Sequence, residues 1–229
     1  MRIFSQFLFM FLCKWLFEIR FISSVSLFLF FSISSCSEAL QEETVVYSNT
    51  FESNDLAGIS DGKVVTYQQN RVLGRYNSDG FILNLSNLPK HDMVEVSIDL
   101  YIHDSWDGND ITGSGPDIWQ MKVDGELFIN TTFSNCNLGL CLPQSYPLSF
   151  LNNKNAARTG ATSTNLPGVC LLSGNSGTSL YKISKKIRHS GGQLKLQCLD
   201  MLIEEKSFDR LCDESWSADN IVVKVISVN

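Results

Sequence analysis

Hydrophobic and polar residues alternate along most of this chain. From Met93 to His103, Val94, Val96, Ile98, Leu100 and Ile102 take every second position, and Glu95, Ser97, Asp99, Tyr101 and His103 fill the gaps. A period of two over that length predicts a long strand with one buried face. Shorter runs of the same kind lie at 44–48 (TVVYS), 63–68 (KVVTYQ), 81–86 (FILNLS), 118–124 (IWQMKVD), 126–133 (ELFINTTF), 180–187 (LYKISKKI), 193–199 (QLKLQCL) and 220–228 (NIVVKVISV). Asp124-Gly125, between two of these runs, is a strong hairpin signal, because a tight turn needs positive φ at its central residues. No segment carries an apolar stripe at helical spacing, and residues 199–211 have room for one short helical turn or a loop. Many short strands joined by polar turns predict an all-β fold, an antiparallel β-sandwich of jelly-roll or concanavalin-like form. Between 135 and 178 the alternation lapses into Asn, Ser, Gly and Thr. Long irregular stretches within one domain are often functional, and this one is expected to hold short irregular strands covering one rim.

The front of the chain follows a different pattern. Residues 1–36 hold 24 hydrophobic residues and nine of the 15 Phe. Phe21 to Cys36 is uncharged and preceded by Lys14 and Arg20. That layout suits a signal peptide, and the run is shorter than the roughly 20 residues needed to span a bilayer. Its end, Ile33-Ser34-Ser35-Cys36, resembles a bacterial lipobox, with Cys36 as the lipidated residue. Ordinary cleavage beside Ser32, Ser34, Ser35 or Ser37 and a retained membrane anchor are the alternatives, and Met10 is an alternative start. Each places the rest of the chain outside the cytoplasm, lipid-anchored at an outer membrane or cell surface, or secreted. The expected division is a signal segment at 1–36, a linker at 37–43 and one sandwich at 44–229 with a long loop region at 135–178.

Charge then narrows the partners. The 229 residues carry net −6, and setting aside Arg2, Lys14, Glu18 and Arg20 leaves −8 for residues 37–229. An acidic domain lacks the Lys/Arg excess that neutralises nucleic-acid phosphates. At 44% hydrophobic and 18% charged residues, the chain is not of the disordered class either.

Five cysteines follow Cys36, and outside the cytoplasm their default is disulfide formation. Cys198 and Cys212 enclose residues 199–211, and closing a loop of about 15 residues is worth roughly 3 kcal/mol in the chain-entropy model. Cys136 and Cys141 can pair locally, or either can reach Cys170. The odd count leaves one thiol free unless an unlipidated Cys36 joins the set. No Cys-x-x-Cys occurs, and His91, His103 and His189 stand at no zinc-ligand spacing from the cysteines.

Two acidic clusters remain, HDSWDGNDITGSGPD at 103–117 and DESWSADN at 213–220. Carboxylates on Gly-bearing loops suit Ca²⁺, a hard cation that takes six to eight oxygens. The same residue types are also ordinary turn formers. The first cluster is no EF-hand, since the twelfth position from Asp107 is Ile118 rather than Glu.

NTFES (49–53), VSIDLYIHDSWDGN (96–109), GPDIWQMKVDG (115–125) and DESWSADNIVV (213–223) together resemble a module of bacterial extracellular proteins. It is similar to the concanavalin-like and jelly-roll sandwiches that include laminin-G-like, MAM-like and many carbohydrate-binding domains. The resemblance spans roughly residues 44–228. It implies a structural Ca²⁺ shared by Glu52, which follows an early Phe, and Asp219, which enters the last strand. It also implies first and last strands lying side by side.

The expected function is a non-catalytic binding module whose partner is an extracellular glycan or a surface protein. A sugar packs its C–H face on an aromatic ring and needs polar partners for its hydroxyls. The candidates are Tyr101, His103 and Trp106, with Asp99, Gln120 and Lys122 as polar neighbours if the middle strands pair. An adhesive scaffold that docks proteins is the first alternative, and a polysaccharide hydrolase or lyase on the same fold the second. Concanavalin-like glycosidases carry Glu-x-Asp-x-x-Glu, which is absent here. Glu95 and Asp99 share a face but stand about 13 Å apart at 3.3 Å per residue, too far for paired-acid hydrolysis. No Gly-x-Ser-x-Gly occurs, and no catalytic residue is assigned.

Overall fold

In the computed structural model, two antiparallel sheets pack face to face around one hydrophobic core. The structure describes residues 41–136, 141–151, 153–170, 172–203 and 209–228. One sheet has seven strands. Its order is β3 (Val64–Tyr67), β4 (Asn70–Tyr76), β12 (Glu214–Val228), β6 (Met93–Asp104), β10 (Thr178–Arg188) and β9 (Ser163–Leu166), and β1 (Gln41–Asn49) also pairs with β12. The other has five, in the order β2 (Ile59–Ser60), β5 (Gly80–Ser86), β11 (Gln193–Met201), β7 (Ile118–Val123) and β8 (Glu126–Thr132). A four-residue helix, α1 (Arg210–Asp213), precedes β12, and the Asp209 carboxylate caps it by accepting the Cys212 N–H. This is the expected all-β antiparallel sandwich.

Alternation produces the layers. Val94, Val96, Ile98, Leu100 and Ile102 of β6 point inward and are at most 1% exposed. Trp119, Met121 and Val123 face them from β7, and Leu194, Leu196 and Cys198 from β11. Burying each large apolar side chain contributes roughly 1.5–3 kcal/mol, so this shared inward set holds the sheets together. A chain of aromatic rings crosses the core. Tyr76 meets Trp216 in a tilted contact at 4.8 Å, Trp216 meets Trp119 edge to face at 5.9 Å, and Phe133 meets Trp119 at 6.4 Å, Tyr181 at 4.5 Å and Tyr146 at 5.0 Å. The chain of rings ends at the surface on Tyr146, where it shapes a groove.

Several boundaries differ from the sequence expectation. β1 begins at Gln41, so Gln41, Glu42 and Glu43 belong to the strand rather than to a linker. The acidic run DESWSADN is not a turn before the last strand. From Glu214 onward it is strand, with an irregularity between Asp219 and Val222. Trp216 and Ala218 point inward there, and Ser215 and Ser217 on the other face are also fully buried. β4 was not foreseen, because Gly74 breaks the alternation of NRVLGRY. That glycine is required by a close approach to β12. A Cβ on it would lie 2.8 Å from the Ser217 Cβ and 2.9 Å from the Trp216 carbonyl oxygen. The expected Asp124-Gly125 hairpin is present, with φ of 51° and 86°. Within the 135–178 stretch, β9 pairs with β10, and Gln144 bridges Asn155. The signal segment and Cys36 lie outside the described residues.

The disulfides correct one expectation. Cys136 pairs with Cys141, but Cys212 pairs with Cys170 rather than with Cys198. Cys198 points into the core from β11 and is a free, fully buried thiol. Burial pushes its ionisation far up, so it behaves as a small apolar residue. Its inward register on β11 turns it away from Cys212, which α1 presents to Cys170.

Candidate functional site

The expected sugar-binding set does not assemble. Tyr101 and His103 lie on β6 in the seven-stranded sheet, whereas Gln120 and Lys122 lie on β7 in the five-stranded sheet. The middle strands on which this expectation depended do not pair. Trp106 is fully buried, packs edge to face on Phe133, and donates its indole N–H to the Ser215 carbonyl at 2.9 Å. His103 is equally buried. Thr178 Oγ1 donates to the Pro167 carbonyl at 2.9 Å, so it accepts from His103 Nδ1, also at 2.9 Å. His103 Nε2 is then left to accept from Ser217 Oγ at 2.6 Å. Burial is the main cause that holds the His103 imidazole down at about 3, so it stays neutral. Tyr101 is 8% exposed beneath Tyr67, and burial pushes its hydroxyl up to about 12. Leu166, Pro167 and Val169 cover Tyr101 and His103 on this face, whereas Trp106 lies in the main core. Tyr67 donates to the Pro167 carbonyl at 2.6 Å, and the Asp104 carboxylate accepts the backbone N–H groups of Val169, Cys170 and Leu172.

The acids of the 103–117 cluster mostly organise backbone. The Asp117 carboxylate accepts the N–H groups of Asp107 and Gly108, and the Asp110 carboxylate accepts the Thr112 backbone N–H and its hydroxyl O–H. Burial, then the charges of Asp110 and Asp213, push Asp107 up to about 6.

Glu52 and Asp219 do come near each other, because β1 lies beside β12. Asn49 pairs with Ile221, which sets the turn carrying Glu52 next to the β12 irregularity. Glu52 Oε1 accepts the Arg71 N–H at 3.1 Å, and Asp219 Oδ1 accepts the Asn220 N–H at 2.7 Å. Asp219 is pushed up to about 6, chiefly by burial and further by the like charges of Asp99 and Glu52. Asp99 itself receives Asn220 Nδ2 at 3.0 Å and Lys182 Nζ at 3.4 Å. Among the described residues, no group of three or more His, Cys, Asp or Glu side chains is arranged to hold a metal ion.

An open groove lies elsewhere, along the edge of the sandwich where β8 and β10 face each other. It has a volume of about 440 Å³. Phe128, Ile129, Tyr146, Pro147 and Leu148 form its apolar wall, and Asn130, Ser149, Ser184 and Lys185 supply polar groups. Several acceptors around it are used internally. Asn130 Oδ1 accepts Gln120 Nε2 at 2.9 Å, the Asn130 carbonyl accepts the Phe150 N–H, and the Leu148 carbonyl accepts Thr131 Oγ1. Ser184 Oγ is committed to Glu95 at 2.6 Å. The groups that face a ligand are therefore mainly donors, namely the Asn130 amide nitrogen and the Lys185 amine, with the Ser149 hydroxyl beside them. An aromatic ring backed by the core plus a few fixed donors is the chemistry that holds a polyhydroxyl ligand. Of the residues expected from sequence, only Gln120 takes part, from behind Asn130. Tyr146 and Lys185 were missed because they are distant in sequence, and nothing local marks a groove formed by the edges of two sheets.

The chain matches no protein-family model. No curated protein is similar to it in sequence. In fold it is distantly similar to several carbohydrate-binding modules. A family 35 carbohydrate binding module from Clostridium thermocellum is 8% identical, with a TM-score of 0.33, and the match covers 80% of this chain and 97% of that one. The CBM22-2 xylan-binding domain from Paenibacillus barcinonensis Xyn10C is 11% identical, with a TM-score of 0.34 over 80% of this chain and 99% of that one. Dimeric latent PorU from Porphyromonas gingivalis is 10% identical, with a TM-score of 0.41 over 85% of this chain, which spans 14% of that protein.

Proposed function

We propose that this chain is an exported, non-catalytic binding module whose β8–β10 groove takes a carbohydrate. The observation that supports this reading is the composition of the groove, an aromatic wall with amide, hydroxyl and ammonium groups and, among the described residues, no carboxylate in its lining. Such a lining offers C–H and hydroxyl contacts but no acid pair for glycosidic cleavage. Glycan-array binding of the full chain tests it, with Asn130→Ala and Lys185→Ala as variants. Losing one hydrogen bond is expected to weaken binding several-fold at the neutral Asn130 amide and at least about tenfold at the charged Lys185 amine. Silence of the wild-type chain on the array would favour a protein-docking scaffold, for which the exposed Leu127, Leu148 and Leu151 near the groove provide the apolar surface. Turnover of any polysaccharide would replace both readings with an enzyme.

A structural calcium ion held by Glu52 and Asp219 belongs to this proposal. Burial raises Asp219 first and the like charges of Asp99 and Glu52 raise it further, and a cation would relieve that repulsion, which supports the ion. Differential binding to the folded state is expected to raise the melting temperature by several degrees in millimolar Ca²⁺ over EDTA. Identical melting curves would remove the ion from the reading. Export, with Cys36 as a lipid anchor, is proposed on the apolar leader and its lipobox-like end.

A further inference from the structure

At the end of the sandwich opposite the covered His103, two imidazoles stand in one hydrogen-bonded chain. His91, on the β5–β6 connection, is 3% exposed, and the side chain of His189, just after β10, is 8% exposed. Their ring planes lie within 9° of each other with centroids 5.0 Å apart, so the rings meet edge to edge through their nitrogens. His91 Nδ1 lies 2.6 Å from the Pro89 carbonyl oxygen, and His91 Nε2 lies 2.7 Å from His189 Nδ1. His189 Nε2 lies 3.0 Å from Asp124 Oδ2 and 3.1 Å from the Gln193 carbonyl oxygen.

Proton counting constrains this chain. The groups at its two ends, carbonyl oxygens and a carboxylate, can only accept. Each outer ring nitrogen must therefore carry a hydrogen, and the inner nitrogen–nitrogen contact needs one more. That makes three, whereas two neutral imidazoles carry two. A fourth would set N–H against N–H at 2.7 Å. The charged side chains on the surrounding elements are Asp124 on the β7–β8 turn, Lys90 and Asp92 on the β5–β6 connection, Arg188 on β10 and Lys195 on β11. Asp92 Oδ2 is taken by the Val228 N–H, and among the described residues Asp124 is the carboxylate within ion-pair distance of a ring.

We propose that His91 and His189 form a proton-operated latch that is closed when the pair holds three ring protons and one net positive charge, balanced by Asp124. Closed, it ties together the β5–β6 connection, the β7–β8 turn and the β10–β11 turn. Loss of the third proton leaves two lone pairs facing each other at one link, and that link opens. The latch makes the order of three turns respond to external pH, as paired histidines can when small changes in charge bias a contact. It also bears on an adjoining cleft of about 410 Å³ lined by Asn84, Ser86, Asp124, Gln193 and Lys195.

Nitrogen-detected NMR of the histidine rings in the intact chain, titrated from acid to alkaline pH, tests the latch. The expected result is a form with three protonated ring nitrogens in the pair and a scalar coupling across the His91–His189 contact. That form loses one proton in a single step, and amide exchange over 89–92 and 189–193 quickens with it. Asp124→Asn, an exposed and isosteric change, should move that step to lower pH by at least about one unit, because it removes the nearby negative charge. Two rings that titrate independently and show no coupling would overturn the proposal. So would an unchanged midpoint in Asp124→Asn.

Discussion

The outer face of β6, β10 and β12 has two halves built on one alternation. Near Glu95, Ser97 and Asp99 the face is open, and its polar side chains pair across strands. Lys224 reaches Glu43 at 3.1 Å, Lys186 lies 3.8 Å from Glu43 and 3.9 Å from Glu95, and Lys182 lies 3.4 Å from Asp99. Lys224 is the first cause that holds Glu43 below the usual carboxylate range. Near Tyr101 and His103 the same outward positions are closed over. Tyr67, Val72 and Tyr101 form a small second core there with Leu166, Val169 and Leu180. Ser215, Ser217, Thr178 and His103 are all fully buried beneath it. Both halves obey period two. The strand pattern assigns a side chain to a face, and a covering segment from elsewhere in the chain decides whether that face meets water. The covered half must find partners for its polar groups internally, since an unpaired buried group costs roughly 1–3 kcal/mol. His103, Thr178 and Ser217 do so, whereas the Ser215 hydroxyl has no hydrogen-bond partner among the described residues. The open half leaves its polar groups to solvent.

The covering segment is where this contrast breaks most readily. Cys170 ties it to Cys212 across a sequence separation of 42. In the chain-entropy model a loop of that length is worth about 4 kcal/mol, against about 2 kcal/mol for the short Cys136–Cys141 loop. Cys170→Ser combined with Cys212→Ser is therefore expected to lower unfolding stability in denaturant by about twice as much as Cys136→Ser combined with Cys141→Ser. Limited proteolysis of the first variant should also cut between Pro167 and Gly177 sooner than in the wild type. Equal losses in the two variants would show that the segment holds its place through Asp104 and Tyr67 alone.

Legibility in the sequence followed the same divide. Where one residue alternates with the next and the inward ones are large, as on β6, β7 and β11, the pattern alone specifies both the strand and its buried face. β4 and the first half of β12 were not legible in this way, because Gly74 interrupts one pattern and Ser, Ala and Asp weaken the other. The resemblance implied first and last strands lying side by side, and β1 does pair with β12. The aromatic site was not legible. Tyr101, His103 and Trp106 have the composition of a ligand platform, but Tyr67 and residues of the 166–169 stretch cover the first two, Trp106 packs on Phe133 in the main core, and no local signal records that. Cys198 failed for a related reason. Its closeness to Cys212 in sequence suggested a loop, while its inward register on β11 placed its thiol in the core.

His103 sharpens the comparison through pH. In an unfolded chain an imidazole titrates near 6.5, whereas burial, followed by the charge of Arg75, holds this one at about 3. Between those values the unfolded chain takes up a proton that the folded chain refuses, so stability falls as pH drops. The loss amounts to roughly 1.5 kcal/mol between about pH 6.5 and pH 5. Asp107 and Asp219, both raised to about 6 chiefly by burial, act in the opposite sense. Their folded forms take the proton first, so their contribution grows as pH falls from about 6 toward 4. The wild-type curve therefore sums opposing effects, and a difference between proteins is needed to isolate the imidazole. His103→Gln keeps a donor toward Thr178 and an acceptor toward Ser217 but does not titrate. Relative to that variant, the wild type should lose the stated amount on acidification, measured by denaturant unfolding at each pH. Lys224→Ala, from the open half, should run parallel to the wild type over the same window. If His103→Gln also ran parallel, the imidazole would be taking up protons in the folded state. The two halves of the face would then differ in packing but not in their access to water.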